Sequence, residues 1–160
     1  MRKSSKGFSL IELLIVVAII LIIAAIAIPN LLRSRIAANQ ASAVGSLRTL
    51  NTAEVTYSST YNWGFTSTLS YLAPPAAGSG PTSTAAGLID SVLAAGAKSG
   101  YDFVCTPGAS DATGRINTYQ ITATPVSDST GTNYYYTDQS GVIRQNSTTV
   151  AGSTDSPLAG

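Results

Sequence analysis

Residues 8–28 form one apolar run, Phe-Ser-Leu-Ile-Glu followed almost entirely by Leu, Ile, Val and Ala, in which Glu12 is the one charged residue. At about 1.5 Å per residue a helix of this length spans roughly 30 Å, the thickness of a bilayer core. A run this long and this apolar fits a membrane-spanning helix better than the interior of a small globule. Taking a carboxylate into hydrocarbon costs about 3 kcal/mol on insertion scales. Glu12 is therefore an expensive residue where it stands, and with a cationic partner it becomes a directional attachment point.

Arg2, Lys3 and Lys6 precede the run, and Arg33 and Arg35 follow it. Three positive charges within seven residues place the N-terminus in the cytoplasm by the positive-inside rule. A secretory signal would have a shorter apolar core and a small-residue cleavage site after it. No Ala-x-Ala site stands out of Ala24-Ala25-Ile26-Ala27. The distinctive residues lie before the run instead.

Those residues, Lys6-Gly7-Phe8-Ser9-Leu10-Ile11-Glu12, resemble the processing site of type IV prepilins and of the related type II secretion pseudopilins. The resemblance covers about the first 30 residues. It implies a leader, residues 1–7, removed by a prepilin peptidase that cuts between Gly7 and Phe8. It also implies N-methylation of Phe8 and a role for Phe8 and Glu12 in subunit assembly. The chemistry is sensible in itself. Glycine before the cut offers no side chain to obstruct a protease. Cleavage leaves a basic terminal amine, largely cationic at neutral pH. Glu12 lies four residues further along, about 6 Å up the same helix face. A second helix shifted by about one turn could bring its amine to this carboxylate, and opposite charges in a low-dielectric setting tolerate misplacement poorly. Such a pair would fix axial register between subunits.

Pro29 lacks an N–H and clashes with the carbonyl of Ala25, so a kink or a locally unwound stretch is expected there. It matches the proline that bends pilin N-terminal helices. Beyond it, Ile36, Ala43, Leu47, Leu50 and Tyr57 recur on one face at helical spacing, interrupted by Glu54. Residues 29–57 are read as an amphipathic helix that packs on a soluble domain.

Residues 58–100 read as a turn-rich loop with a short helical patch at Leu88-Ile89 and Val92-Leu93, stopped by Gly96 and Gly100. Tyr61, Trp63, Phe65 and Tyr71 are expected to cover apolar surface, with an aromatic binding site as the alternative. Strand candidates follow over residues 101–146. Tyr101, Phe103 and Cys105 alternate, as do Tyr119, Ile121 and Ala123. Tyr134 to Thr137 and Val142 to Gln145 flank the turn Asp138-Gln139-Ser140-Gly141. The fold expected is α+β, a long kinked N-terminal helix, half membrane and half amphipathic, packed on an antiparallel sheet of three or four strands. Residues 147–160 read as a polar, mobile tail.

Composition narrows the function. With 9 Lys+Arg and 8 Asp+Glu the chain carries +1, and without its first seven residues the side chains sum to −2. No specific nucleic-acid site is visible. Histidine is absent, which removes the commonest general base and metal ligand. There is no Gly-x-Ser-x-Gly, no Cys-x-x-Cys and no haem-attachment motif, so neither an enzyme nor a cofactor is expected. Asp128-Ser-Thr-Gly-Thr-Asn lacks EF-hand spacing, and no metal site is assigned. Asn146-Ser147-Thr148 fits a glycosylation sequon. Cys105 is the single cysteine, so the C-terminal disulfide usual in type IVa pilins cannot form within the chain.

The resemblance thus implies a major pilin. Its expected partners are copies of itself in a helical filament, the prepilin peptidase, an inner-membrane assembly platform with its ATPase, and membrane lipid before assembly. It would reside in the bacterial inner membrane as a single-pass precursor and then in an extracellular pilus serving adhesion, twitching motility or DNA uptake. One alternative is a type II secretion pseudopilin in a periplasmic pseudopilus, favoured by the missing disulfide and opposed by the missing acidic calcium loop. The other, from a different class, is a membrane-anchored binding domain that never polymerises.

Overall fold

The computed structural model describes residues 7–158. All but Gly7 of the expected leader lies outside them. The chain divides into two compact units, Met1–Arg35 and Ile36–Gly160. Helix α1, Leu10–Tyr61, supplies residues to both.

In the first unit the helix is exposed on every side. Leu10, Ile11, Ile20, Ile22 and Ile28 are each more than half exposed. Such a surface is stable in hydrocarbon or against other apolar helices, and a single segment there must satisfy its backbone internally, which a helix does. Pro29 sits inside α1, which continues on both sides of it. The local unwinding expected there is absent. Proline removes one N–H from the ladder, and the bonds of the adjoining turns keep the helix.

In the second unit α1 buries Ala43, Leu47, Leu50, Ala53, Glu54 and Tyr57, a stripe at helical spacing. Leu47 and Leu50 are fully buried, and each such burial stabilises by about 1.5–3 kcal/mol as an upper estimate. The stripe packs on a five-stranded antiparallel sheet whose strands lie side by side in chain order, β1 (Ala97–Lys98), β2 (Tyr101–Pro107), β3 (Tyr119–Pro125), β4 (Tyr134–Asp138) and β5 (Arg144–Asn146). Period-2 alternation sends Tyr101, Phe103, Tyr119, Ile121 and Ala123 into the core. The β4–β5 connection is the tight turn expected. Gly141 N–H reaches the Asp138 carbonyl at 2.9 Å, and Gly141 takes φ +74.

The sheet has one strand more than the largest number expected, because β1 is only two residues long and carries no alternation to read. The short helix is α2, Ser91–Ala94, capped by Asp90, whose carboxylate accepts from Leu93 N–H at 2.9 Å and pairs with Lys98 at 2.9 Å. A 3₁₀ turn, Leu69–Leu72, lies in the loop after α1 and buries Leu69 and Leu72.

Residues 147–158 do not form the free tail expected. Leu158 N–H bonds to the Ile143 carbonyl at 2.8 Å and Gln145 N–H to the Ser156 carbonyl at 3.0 Å. Asp155 accepts from the Asn146 amide at 2.9 Å and from Gly152 N–H at 2.7 Å. The segment folds back on β5, and Ala151 is buried.

Candidate functional site

The predicted site residues lie at the start of α1. Gly7 has open space where a side chain would stand. Phe8 is 77% exposed, and Ser9 is the residue before the first helical position. The first four N–H groups of a helix have no partner within it. Here Ser9 N–H donates to Glu12 Oε2 at 2.9 Å, and Leu13 N–H donates to the Ser9 carbonyl at 3.2 Å. Ser-x-x-Glu with the third-position carboxylate reaching back is half of a capping box. The acid also stands at the positive end of the helix dipole. Glu12 therefore has an intrachain partner in the monomer, which sequence spacing to a neighbour's amine did not reveal. The Ser-x-x-Glu signal for it was present in the sequence.

Around this cap the surface is apolar. Leu10, Leu13, Leu14 and Val17 line a shallow groove on the helix. Leu10–Tyr61 is long and apolar enough in its N-terminal part to cross a membrane, and none of that part is buried within the protein. Pro29, the remaining predicted site residue, lies further along the helix and meets none of this cap.

Sequence reasoning missed a second polar constellation, in the head. Glu54, which reads as a break in the apolar stripe, is fully buried. Its Oε2 accepts from Thr66 N–H at 2.9 Å and its Oε1 from the Thr66 hydroxyl at 2.5 Å. The Cys105 thiol lies 4.0 Å from Oε1. Burial pushes the Glu54 carboxyl above its ordinary range, against the Thr66 bonds that pull it down. Burial, with Glu54 beside it, pushes Cys105 up to about 12. A thiol so held is protonated at neutral pH and is no nucleophile. The available signal was the position of Glu54 on the buried face.

The remaining candidates are occupied by structure. The Asn146 carbonyl of the sequon accepts from Thr148 N–H at 2.9 Å and Thr149 N–H at 3.2 Å, while its amide holds Asp155. Among the described residues no three of His, Cys, Asp and Glu cluster as metal ligands would. Of the aromatic group, Phe65 packs edge-on against Tyr119 at 4.6 Å and Tyr61 against Tyr57 at 4.9 Å, as covers of apolar surface would. Trp63 does not; it is 64% exposed.

Comparison with known proteins bears on the N-terminal segment. Residues 2–28 match the prokaryotic N-terminal methylation motif. A stretch of 37 residues is 65% identical to the type IV wide pilus major component PilA4 of Thermus thermophilus, covering 23% of this chain and 28% of that protein. A stretch of 53 residues is 49% identical to the type IV major pilin protein PilA of Myxococcus xanthus, covering 33% of this chain and 24% of that protein. The chain thus spans about a quarter of the length of the curated relatives it matches. No solved structure matches. Residues 2–28 thus carry the methylation motif, and part of the chain is similar to part of two proteins named as major components of type IV pili.

Proposed function

We propose that this chain is the major structural subunit of a type IV pilus. It is stored in the inner membrane and extruded into a helical filament with the apolar helices inside and the sheet domains outside. The single observation that carries the reading is the membrane-length apolar part of α1, unburied on all sides, whose one acid, Glu12, stands four residues beyond Phe8 within the methylation motif. Leaving a bilayer for a bundle of like helices exchanges one apolar setting for another, so the helix never needs to enter water. Two relatives named as major pilus components support a major rather than minor role.

In this reading prepilin peptidase cuts after Gly7 and the Phe8 amine is methylated. The Glu12 carboxylate then gives up the Ser9 N–H for the amine of a neighbouring subunit, which sets the axial stagger. Pro29 allows the helix to bend within the filament. An inner-membrane platform and ATPase drive the extrusion, and adhesion, twitching or DNA uptake are the uses such a fibre serves.

Two measurements on cells test this. Mass spectrometry of the assembled protein should show loss of residues 1–7 and one added methyl group on Phe8. Glu12→Gln should leave the protein in the membrane while filaments seen by electron microscopy become far fewer. An intact Met1 in the fibre, or full piliation with Glu12→Gln, would overturn the reading. Normal fibres with blocked exoprotein release on gene deletion would point to a pseudopilus instead.

A further inference from the structure

We propose that the cleft beside Trp63 binds a neutral saccharide, one sugar ring stacked on the indole. The cleft holds about 200 Å³, below the roughly 300 Å³ at which pockets begin to enclose drug-sized ligands, so it suits a single ring. Trp63, Phe65 and Tyr71 are aromatic residues of its lining, and Ser67 and Ser83 are hydroxyl-bearing ones. Among the described residues no charged side chain lines it. Arg115, though it sits between the lining residues Gly114 and Ile116, does not.

The backbone that presents the indole is fixed in advance. Phe65 N–H donates to the Ile116 carbonyl at 2.8 Å, and Ile116 N–H donates to the Trp63 carbonyl at 3.3 Å. Gly64 between them takes φ +81, and a Cβ there would fall on the Ile116 carbonyl oxygen. Thr66, next along, is pinned through both its N–H and its hydroxyl by Glu54. On the facing side the Tyr57 hydroxyl donates to the Ser83 carbonyl at 2.8 Å. A large apolar side chain left in water on a loop tied down by these bonds is a preorganised platform, and less freedom is lost when a ligand covers it.

Chemistry then selects the ligand class. A pyranose presents polarised C–H groups on one face and hydroxyls at its edge. The negative face of an aromatic ring attracts the former, and serine hydroxyls donate to and accept from the latter. An ionic ligand would find no counter-charge in the lining. A wholly apolar one would strand the rim hydroxyls.

Trp63 is the chain's single tryptophan, so its emission reports on this cleft alone. Full-length protein in detergent micelles is titrated with maltotriose, cellotriose and triacetylchitotriose. A saturable emission change with at least one of them is expected. By calorimetry Trp63→Ala should weaken binding of that sugar roughly tenfold or more, while Trp63→Phe, which keeps an aromatic face, should stay within a few-fold. No saturable response to any of the three overturns the proposal, as does equal affinity in Trp63→Ala. An emission shift that appears only on polymerisation, without sugar, also overturns it and makes the cleft a contact between copies.

Discussion

Glu54 grips Thr66 with both carboxylate oxygens, 2.9 Å from its N–H and 2.5 Å from its hydroxyl, in a fully buried position. The contact ties the last turns of α1 to the loop that leaves it. Because burial raises the Glu54 pKa above its ordinary 4.5, the folded head favours the protonated acid. A proton on Oε1 would reverse the short bond and donate to the hydroxyl. The stabilisation of the neutral form is fully present below the unfolded pKa and is lost as pH rises through the folded one. Chemical unfolding should therefore show this group's contribution falling as pH climbs from about 4.5 into the raised range. Glu54→Gln, which offers one acceptor and one donor to Thr66, should flatten the profile at a cost of about 1 kcal/mol or less. Glu54→Ala leaves the Thr66 N–H unpaired beside a cavity and should cost about 2–4 kcal/mol.

Gly64 is the one residue between Trp63 and Phe65, and its φ of +81 and contact with Ile116 leave no place for a side chain. Gly64→Ala should destabilise the head by about 1–3 kcal/mol. Hydrogen exchange should localise the damage, with the Phe65 amide losing protection before those of β3.

Asn51 links helix to sheet. Its amide donates to the Thr137 hydroxyl at 2.8 Å and to the Gly141 carbonyl at 3.3 Å, and its carbonyl accepts from the Tyr119 hydroxyl at 3.1 Å. Asn51→Ala should cost about 1–3 kcal/mol, since it strips partners from the fully buried Thr137. Thermal melts followed by near-ultraviolet dichroism would measure it, with Tyr119→Phe as the milder comparison.

Cys105, held up to about 12 by burial and by Glu54, should resist alkylation at pH 8. Its rate with iodoacetamide in the folded protein should lie at least about a hundredfold below that in denaturant. Glu54→Gln should change that rate little, because burial is the larger cause.

The apolar half of α1 was legible because nothing but helix suits a long apolar run, and the buried stripe Ala43, Leu47, Leu50 and Tyr57 followed from spacing alone. Strands β2, β3 and β4 showed in their alternation. Glu54 did not, because its partner lies twelve residues on, past the end of the helix, and charge alone reads as exposure. The anchoring of the tail was equally hidden. Asp155 looks like any loop acid until the chain brings Asn146 and Gly152 to it. Trp63 was expected to cover apolar surface, but the bonds between its loop and Ile116 hold the backbone there and leave the indole in solvent.

A cylinder that is oily all the way round has no preferred rotation about its own axis, and residues 13–28 give it none. Glu12 is the one charged mark that breaks this symmetry. In the proposed filament, the turn and height of one such rod beside the next would be read from that single carboxylate.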